Sequence, residues 1–226
     1  MQPYWGEYDS SVIFCEDKYA NSHFIAEYYN TLSGLFYFFI ALYFFTTKMK
    51  KYAYLISLVS IGTIALHGTL RWYGQWIDEM AMLTLMFFYI KDVYYDLKYI
   101  YCAMMLGFYM TFHDNYNVFL FLFIFIVIYQ YNTVQLIIND EKTRYYLKMY
   151  KLSMMIGFTF WLLDRLCFTK IINFHVLWHI LSGIGAYNGT QVYHEHRKQL
   201  DKAGLKIVKW MKTKKLRNKE IKKQGN

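Results

Sequence analysis

This sequence predicts an all-α integral membrane bundle of seven transmembrane helices, and three observations lead there. Of its 226 residues 56% are hydrophobic and 22% aromatic, only 18% are charged, and one is proline. Soluble domains carry about 25% charged residues, so the chain reads as a polytopic membrane protein rather than a soluble domain. Seven apolar stretches recur along the chain, at residues 28–47, 52–70, 77–95, 99–112, 118–138, 152–168 and 176–193. The third observation is the uneven division of Lys and Arg among the loops between them.

Crossing the ~30 Å hydrocarbon core takes a helix of about 20 residues with some latitude, which suits most of these stretches. The first ends at Lys48, Lys50 and Lys51, the second runs up to Arg71, and Asp78 opens the third. The fourth is short, and charge decides its fate. With seven crossings, 21 of the 25 Lys and Arg lie on one side and four (Lys18, Arg71, Arg165 and Lys170) on the other; without the fourth the division is 18 to seven. The positive-inside rule favours the fourth crossing. The fifth is a long apolar run, the sixth follows the basic group Lys142, Arg144, Lys148 and Lys151, and the seventh leads into a lysine-rich tail. The N-terminus is expected to face the lumen or exterior and the tail the cytosol.

Three regions follow: a luminal segment at 1–27, a seven-helix membrane domain at 28–195, and a basic cytosolic tail at 196–226. Residues 1–18 are polar and acidic with no apolar core, so the first span is expected to act as an uncleaved signal. The tail sets Leu205, Ile207, Val208, Trp210 and Met211 among lysines. It reads either as a helix on anionic lipid or as a solvated tail that fixes topology. Trp72, Trp76, Trp161 and Trp178 lie near the outer boundary, as an interfacial belt would have them.

The run FHVLWHILSGIG, residues 174–185, carries the chemistry. On a helix His175 and His179 share a face, and a bare imidazole pair in hydrocarbon is costly unless something such as a metal uses it. Threading seven spans puts the end of the second, the start of the third, the end of the sixth and the start of the seventh on one side. His67, Asp78, Asp164, His175 and His179 then share a layer within about two helical turns of the interface. Three imidazoles leave a fourth position open on tetrahedral zinc, where bound water has a pKa of ~7. Asp78 is the candidate proton carrier for that water. Thr63, one turn before His67, can aim its hydroxyl at the water or at an oxyanion. Singly, each residue has a plainer role: a packed histidine, an aspartate capping a helix start, a threonine bonded back to its own helix. Their common depth favours the metal.

In these residues the chain resembles the alkaline ceramidases, part of a superfamily of seven-helix membrane hydrolases that also includes adiponectin-type receptors. The resemblance is carried by YWGEYDSSVIFCEDKY (4–19) with IAEYYNT (25–31), by the stretch from Gly62 through His67 to Leu70, by QWIDEMAM (75–82), and by FHVLWHILSGIG. It implies zinc ligands at His67, His175 and His179, the catalytic aspartate at Asp78, and Thr63 where the family has serine. The implied reaction is hydrolysis of the ceramide amide to a sphingoid base and a fatty acid. The implied partners are a bilayer lipid and the membrane itself, with no nucleic acid.

The family also binds calcium near its N-terminus, and here the match breaks. Glu16 and Glu27 remain and Phe14 keeps its carbonyl, but Ile13 stands where the family has aspartate and Lys18 where it has asparagine. An ammonium in the shell opposes a divalent cation. The expectation is that Lys18 replaces the ion by pairing with Glu16 or Glu27; a site rebuilt by Asp17 or Asp9 is the alternative. The family further pairs a cysteine matching Cys15 with one near the end of the sixth span, which implies a Cys15–Cys167 bond here, with Cys167 displaced by one residue. Residence in the endoplasmic reticulum or Golgi rests on the same resemblance. Other readings stay open: a hydrolase of another lipid such as a glycolipid-anchor ester, a seven-helix receptor with structural zinc, and an inactive relative that binds sphingolipid.

Overall fold

Each of the seven apolar stretches folds as helix. The structure, a computed structural model, describes residues 3–94, 96–138 and 140–224, with side chains up to residue 204. Among them are eight α-helices and no strand: α1 Tyr28–Ser33, α2 Leu35–Phe45, α3 Lys50–Thr69, α4 Trp72–Lys91, α5 Tyr99–Thr111, α6 Tyr116–Val134, α7 Glu141–Arg165 and α8 Phe174–Gln224. Gly34 separates α1 from α2 yet keeps helical angles, φ −58° and ψ −26°, so the two continue one another through the first stretch. A 3-10 turn, Gln135–Ile137, extends α6. By length and composition α3 and the segment Tyr116–Ile137 are each able to cross a membrane, and α5 is a shorter apolar helix.

Two helices start earlier or run further than hydropathy predicts. Asp140 begins α7 by accepting a hydrogen bond from the Thr143 backbone N–H at 2.7 Å, well before residue 152. The added turns carry Glu141, Lys142, Arg144 and Lys148, which no search for apolar runs detects. At the other end α8 continues without a break into the tail. The tail side chains from Leu205 to Lys223, and residue 95 at the end of the third stretch, lie outside the described residues.

Backbone contact fixes how α3 meets α4. A Cβ on Gly62 would stand 2.4 Å from Asp78 Cα, and one on Gly74 would stand 2.7 Å from the Ala65 carbonyl oxygen. Neither glycine could be alanine without prying the helices apart. α1 and α2 lie against α3 and α8, α7 runs along α8, and α6 packs on α4. Deep in the bundle Tyr52, Tyr89 and Tyr193 stack at centroid distances of 4.8 and 5.0 Å, joining α3, α4 and α8.

The tryptophan belt is only half present. Trp72 is exposed, but Trp161 and Trp178 are each 5% exposed and wall an internal cavity. Hydropathy locates a residue's depth along a helix and says nothing of which way the ring points.

Residues 3–27 lace over one end of the bundle. Asp9 and Ser10 donate their N–H groups to the Leu70 carbonyl, and Ala26 and Glu27 donate theirs to Gly68 and His67. Arg71 pairs with Asp9 at 2.9 Å. Cys15 and Cys167 form a disulfide across a sequence separation of 152 residues. Beside it Lys170 bonds Asp17 at 2.5 Å and holds that carboxyl below the usual carboxylate range. Closing so long a loop stabilises a fold by about 2–5 kcal/mol. A reductant is therefore expected to lower the thermal midpoint of the wild-type protein and to leave a Cys15→Ser, Cys167→Ser double variant unmoved, measured by fluorescence melting. A midpoint indifferent to reductant in both would refute that contribution.

Candidate metal centre

His67 lies in the last turn of α3, while His175 and His179 lie in the first two turns of α8. All three are buried, and their ring centroids stand 4.9, 4.9 and 4.5 Å apart. One ligating nitrogen from each falls within 4.8 Å of the other two. His67 Nε2 and His175 Nδ1 are buried with no hydrogen-bond partner. Such atoms carry a desolvation cost of about 1–3 kcal/mol each unless something binds them. The cluster can hold a metal ion, and an all-imidazole donor set is compatible with zinc.

Two neighbours aim the rings. Glu27 Oε2 lies 2.5 Å from His67 Nδ1, and Ser33 Oγ lies 2.6 Å from His179 Nδ1. Partners on the second nitrogen fix tautomer and ring orientation, leaving Nε2 of each ring for a ligand. Asp164 Oδ2 stands 3.9 Å from His175 Nδ1, beyond hydrogen-bond reach, and accepts instead from the Cys15 N–H. The Phe14 ring covers the cluster, 4.7 Å from His67 and 4.0 Å from His175.

Asp78 is in the second turn of α4, so it does not cap that helix. Its Oδ1 accepts from Thr63 Oγ1 at 2.8 Å. Both line a cavity of about 30 Å³ together with His175, His179 and Glu79. That volume holds a water or two. Leu120, Phe158 and Trp161 separate it from a groove of about 370 Å³ between α6 and α7 whose walls are almost wholly apolar side chains.

The N-terminal acidic residues do not gather around a cation site. The Lys18 ammonium donates to the carbonyls of Phe14 and Glu16, at 2.6 and 2.7 Å, and to the Glu27 carboxylate. Burial alone would raise the Glu27 carboxyl, but the bonds and charges of His67 and Lys18 outweigh it and hold the group below its ordinary range. Glu16 turns its carboxylate elsewhere, accepting from Tyr29 N and Asn30 N at 2.8 and 2.9 Å, where it caps α1. Asp9 is engaged by Trp72 and Arg71, Asp17 by Lys170, and Ile13 is exposed. The oxygen cradle is filled by an ammonium, so these residues do not fit calcium.

Sequence reasoning missed Ser33 altogether and saw in Glu27 only a calcium-type ligand. No spacing rule links either to a histidine on another helix. Glu79 was also passed over, although it adjoins Asp78.

Comparison with known proteins adds to this geometry. The sequence pattern of the ceramidase family matches residues 6–218. The chain is 26% identical over 218 residues to an alkaline ceramidase of Arabidopsis thaliana, covering 83% of this chain and 84% of that one. It is 24% identical over 234 residues to alkaline ceramidase 1 of Mus musculus, covering 89% and 86% respectively. Alkaline ceramidase 3 of Mus musculus is likewise 24% identical, over 235 residues, with 81% and 82% covered.

Proposed function

This chain belongs to the ceramidase family, and from that membership we propose that it hydrolyses the amide bond of ceramide to a sphingoid base and a fatty acid, with zinc held by His67, His175 and His179. The observation that carries the reading is the buried three-histidine cluster sharing a cavity with the Asp78–Thr63 pair. When bound, zinc supplies a Lewis acid for a carbonyl oxygen and an acidified water. Asp78 takes a proton at its carboxylate and returns it to the departing nitrogen. Thr63 fixes the Asp78 carboxylate by donating to Oδ1, while Glu27 and Ser33 hold two of the imidazoles in place. Phe14 shields the cluster from the aqueous side, and the apolar groove between α6 and α7 receives a lipid chain.

The same proposal includes seven membrane spans, a luminal N-terminal segment at 1–27 and a cytosolic tail from residue 196, in the endoplasmic reticulum or Golgi. The division of basic residues supports it, as does the outward apolar surface of α6, where Phe121 is 70%, Phe125 61% and Ile128 56% exposed. A soluble protein rarely leaves so continuous an apolar face bare. Lys18 belongs to the proposal too, as a built-in cation that replaces a metal ion beneath Glu27.

Detergent-purified protein is expected to release sphingosine from long-chain ceramide, to lose that activity on treatment with a zinc chelator, and to regain it when zinc is restored. Zinc-loaded protein that releases nothing would count against the ceramide reading; activity unaffected by complete zinc removal would count against the metal.

A further inference from the structure

Two neighbouring spaces take no part in the mechanism above. The first, of about 230 Å³, is bordered by the carboxylates of Glu16, Asp17 and Asp164 against a single cation, Lys170. Glu16 is engaged by Tyr29 N, Asn30 N and Asn173 Nδ2, and Asp17 by Lys170. Asp164 is only half engaged. It is 3% exposed, and its Oδ2 accepts from the Cys15 N–H at 3.3 Å. Its Oδ1 has no hydrogen-bond partner among the described residues and is not sealed from solvent, and the space this side chain borders is the acidic pocket.

The second space is a groove of about 620 Å³ between α1, α2 and the start of α8. Leu32, Leu35, Phe36, Phe39, Val176 and Ile180 wall it, and no charged side chain does. Tyr29, Ile172 and Asn173 border both spaces, so the acidic pocket and the apolar groove adjoin. A molecule that satisfies both has a cationic head and a hydrocarbon tail. A fatty acid would set its own carboxylate among three others, and a neutral alcohol would forgo the charge-assisted bond that an ammonium makes to a buried carboxylate. Apolar walls with a few placed polar groups are the ordinary make-up of a ligand site. Resting on the ceramide reading above, we propose that pocket and groove form one binding site for a single-chain lipid amine, the sphingoid base that the reaction releases. Its ammonium sits on Asp164 and its chain lies against α1, α2 and α8. The site is distinct from the groove between α6 and α7. It borders the metal centre, for Ser33 in the groove wall holds His179 and Asp164 stands 3.9 Å from His175 Nδ1.

The test uses detergent-purified protein and sphingosine carrying a diazirine in its chain, with photo-adducts located by peptide mass spectrometry. Adducts are expected within residues 29–39 and 172–180, displaced by unlabelled sphingosine and not by equal concentrations of stearic acid or octadecanol. Asp164→Asn is expected to lower their yield by on the order of tenfold, the worth of one hydrogen bond between charged partners. Leu32→Trp, at the exposed rim of the groove, is expected to abolish them without altering the acidic pocket, and it decides the matter if Asp164→Asn does not fold. Adducts confined to α6 and α7 overturn the assignment, as do adducts that octadecanol displaces equally well or that both variants leave unchanged. Binding requires no turnover, so the two readings fail separately. Protein that takes up sphingosine here yet releases none from ceramide keeps the amine site and loses the ceramide reading, whereas protein that cleaves ceramide without these adducts loses the site alone.

Discussion

Asp78→Asn is expected to lower kcat/KM for ceramide by on the order of 10³-fold while bound zinc stays at the wild-type level. Positioned acid–base groups contribute about 10²–10⁴ in rate. Asparagine keeps the shape of the side chain and a carbonyl oxygen that still accepts from Thr63 Oγ1, so the bond now measured at 2.8 Å survives. What disappears is the ability to take a proton and give it back. Steady-state kinetics with metal analysis on the same sample decides the matter. Near-wild-type turnover would remove Asp78 from proton transfer, and loss of zinc together with activity would make its role structural.

Lys18→Met carries the second large effect. Methionine fills the space of the lysine stem but leaves Glu27, whose side chain is 0% exposed, with its charge shared only with His67 and Asn30. Breaking a buried ion pair from one side costs about 3–5 kcal/mol. For a chain of this length that is on the order of 10 °C in thermal midpoint. Because Glu27 also aims His67, zinc affinity should fall with stability. Added calcium is expected to leave the wild-type melting curve where it is. A calcium-dependent rise in the wild-type midpoint, abolished by Glu27→Ala, would refute the substitution of ammonium for metal.

The parts of the centre that could be read from the sequence were those governed by periodicity. His175 and His179 are one helical turn apart, so any helix aligns them, and counting spans put His67 and Asp78 at the same depth. The parts that could not be read depend on the route of irregular chain. Ser33 and Glu27 meet their histidines only because residues 3–27 fold back over α3, and no repeat or spacing encodes that path. Glu79 was obscured by a sound rule: adjacent helical residues point about 100° apart, so one carboxylate of a pair is expected to face away. Here both carboxylates border the same cavity. Trp161 and Trp178 were misassigned for a related reason, since depth along a helix does not reveal the angle around it.

The three histidines come from α3 and α8, and the ring covering them comes from residue 14. A ribosome therefore exposes one imidazole early and the other two only after more than three-quarters of the chain has been made. A nascent chain that stops in α7 has one histidine of the three and lacks Cys167, the disulfide partner of Cys15. A metal ion that needs all three imidazoles is therefore bound only once the start of α8 has been made.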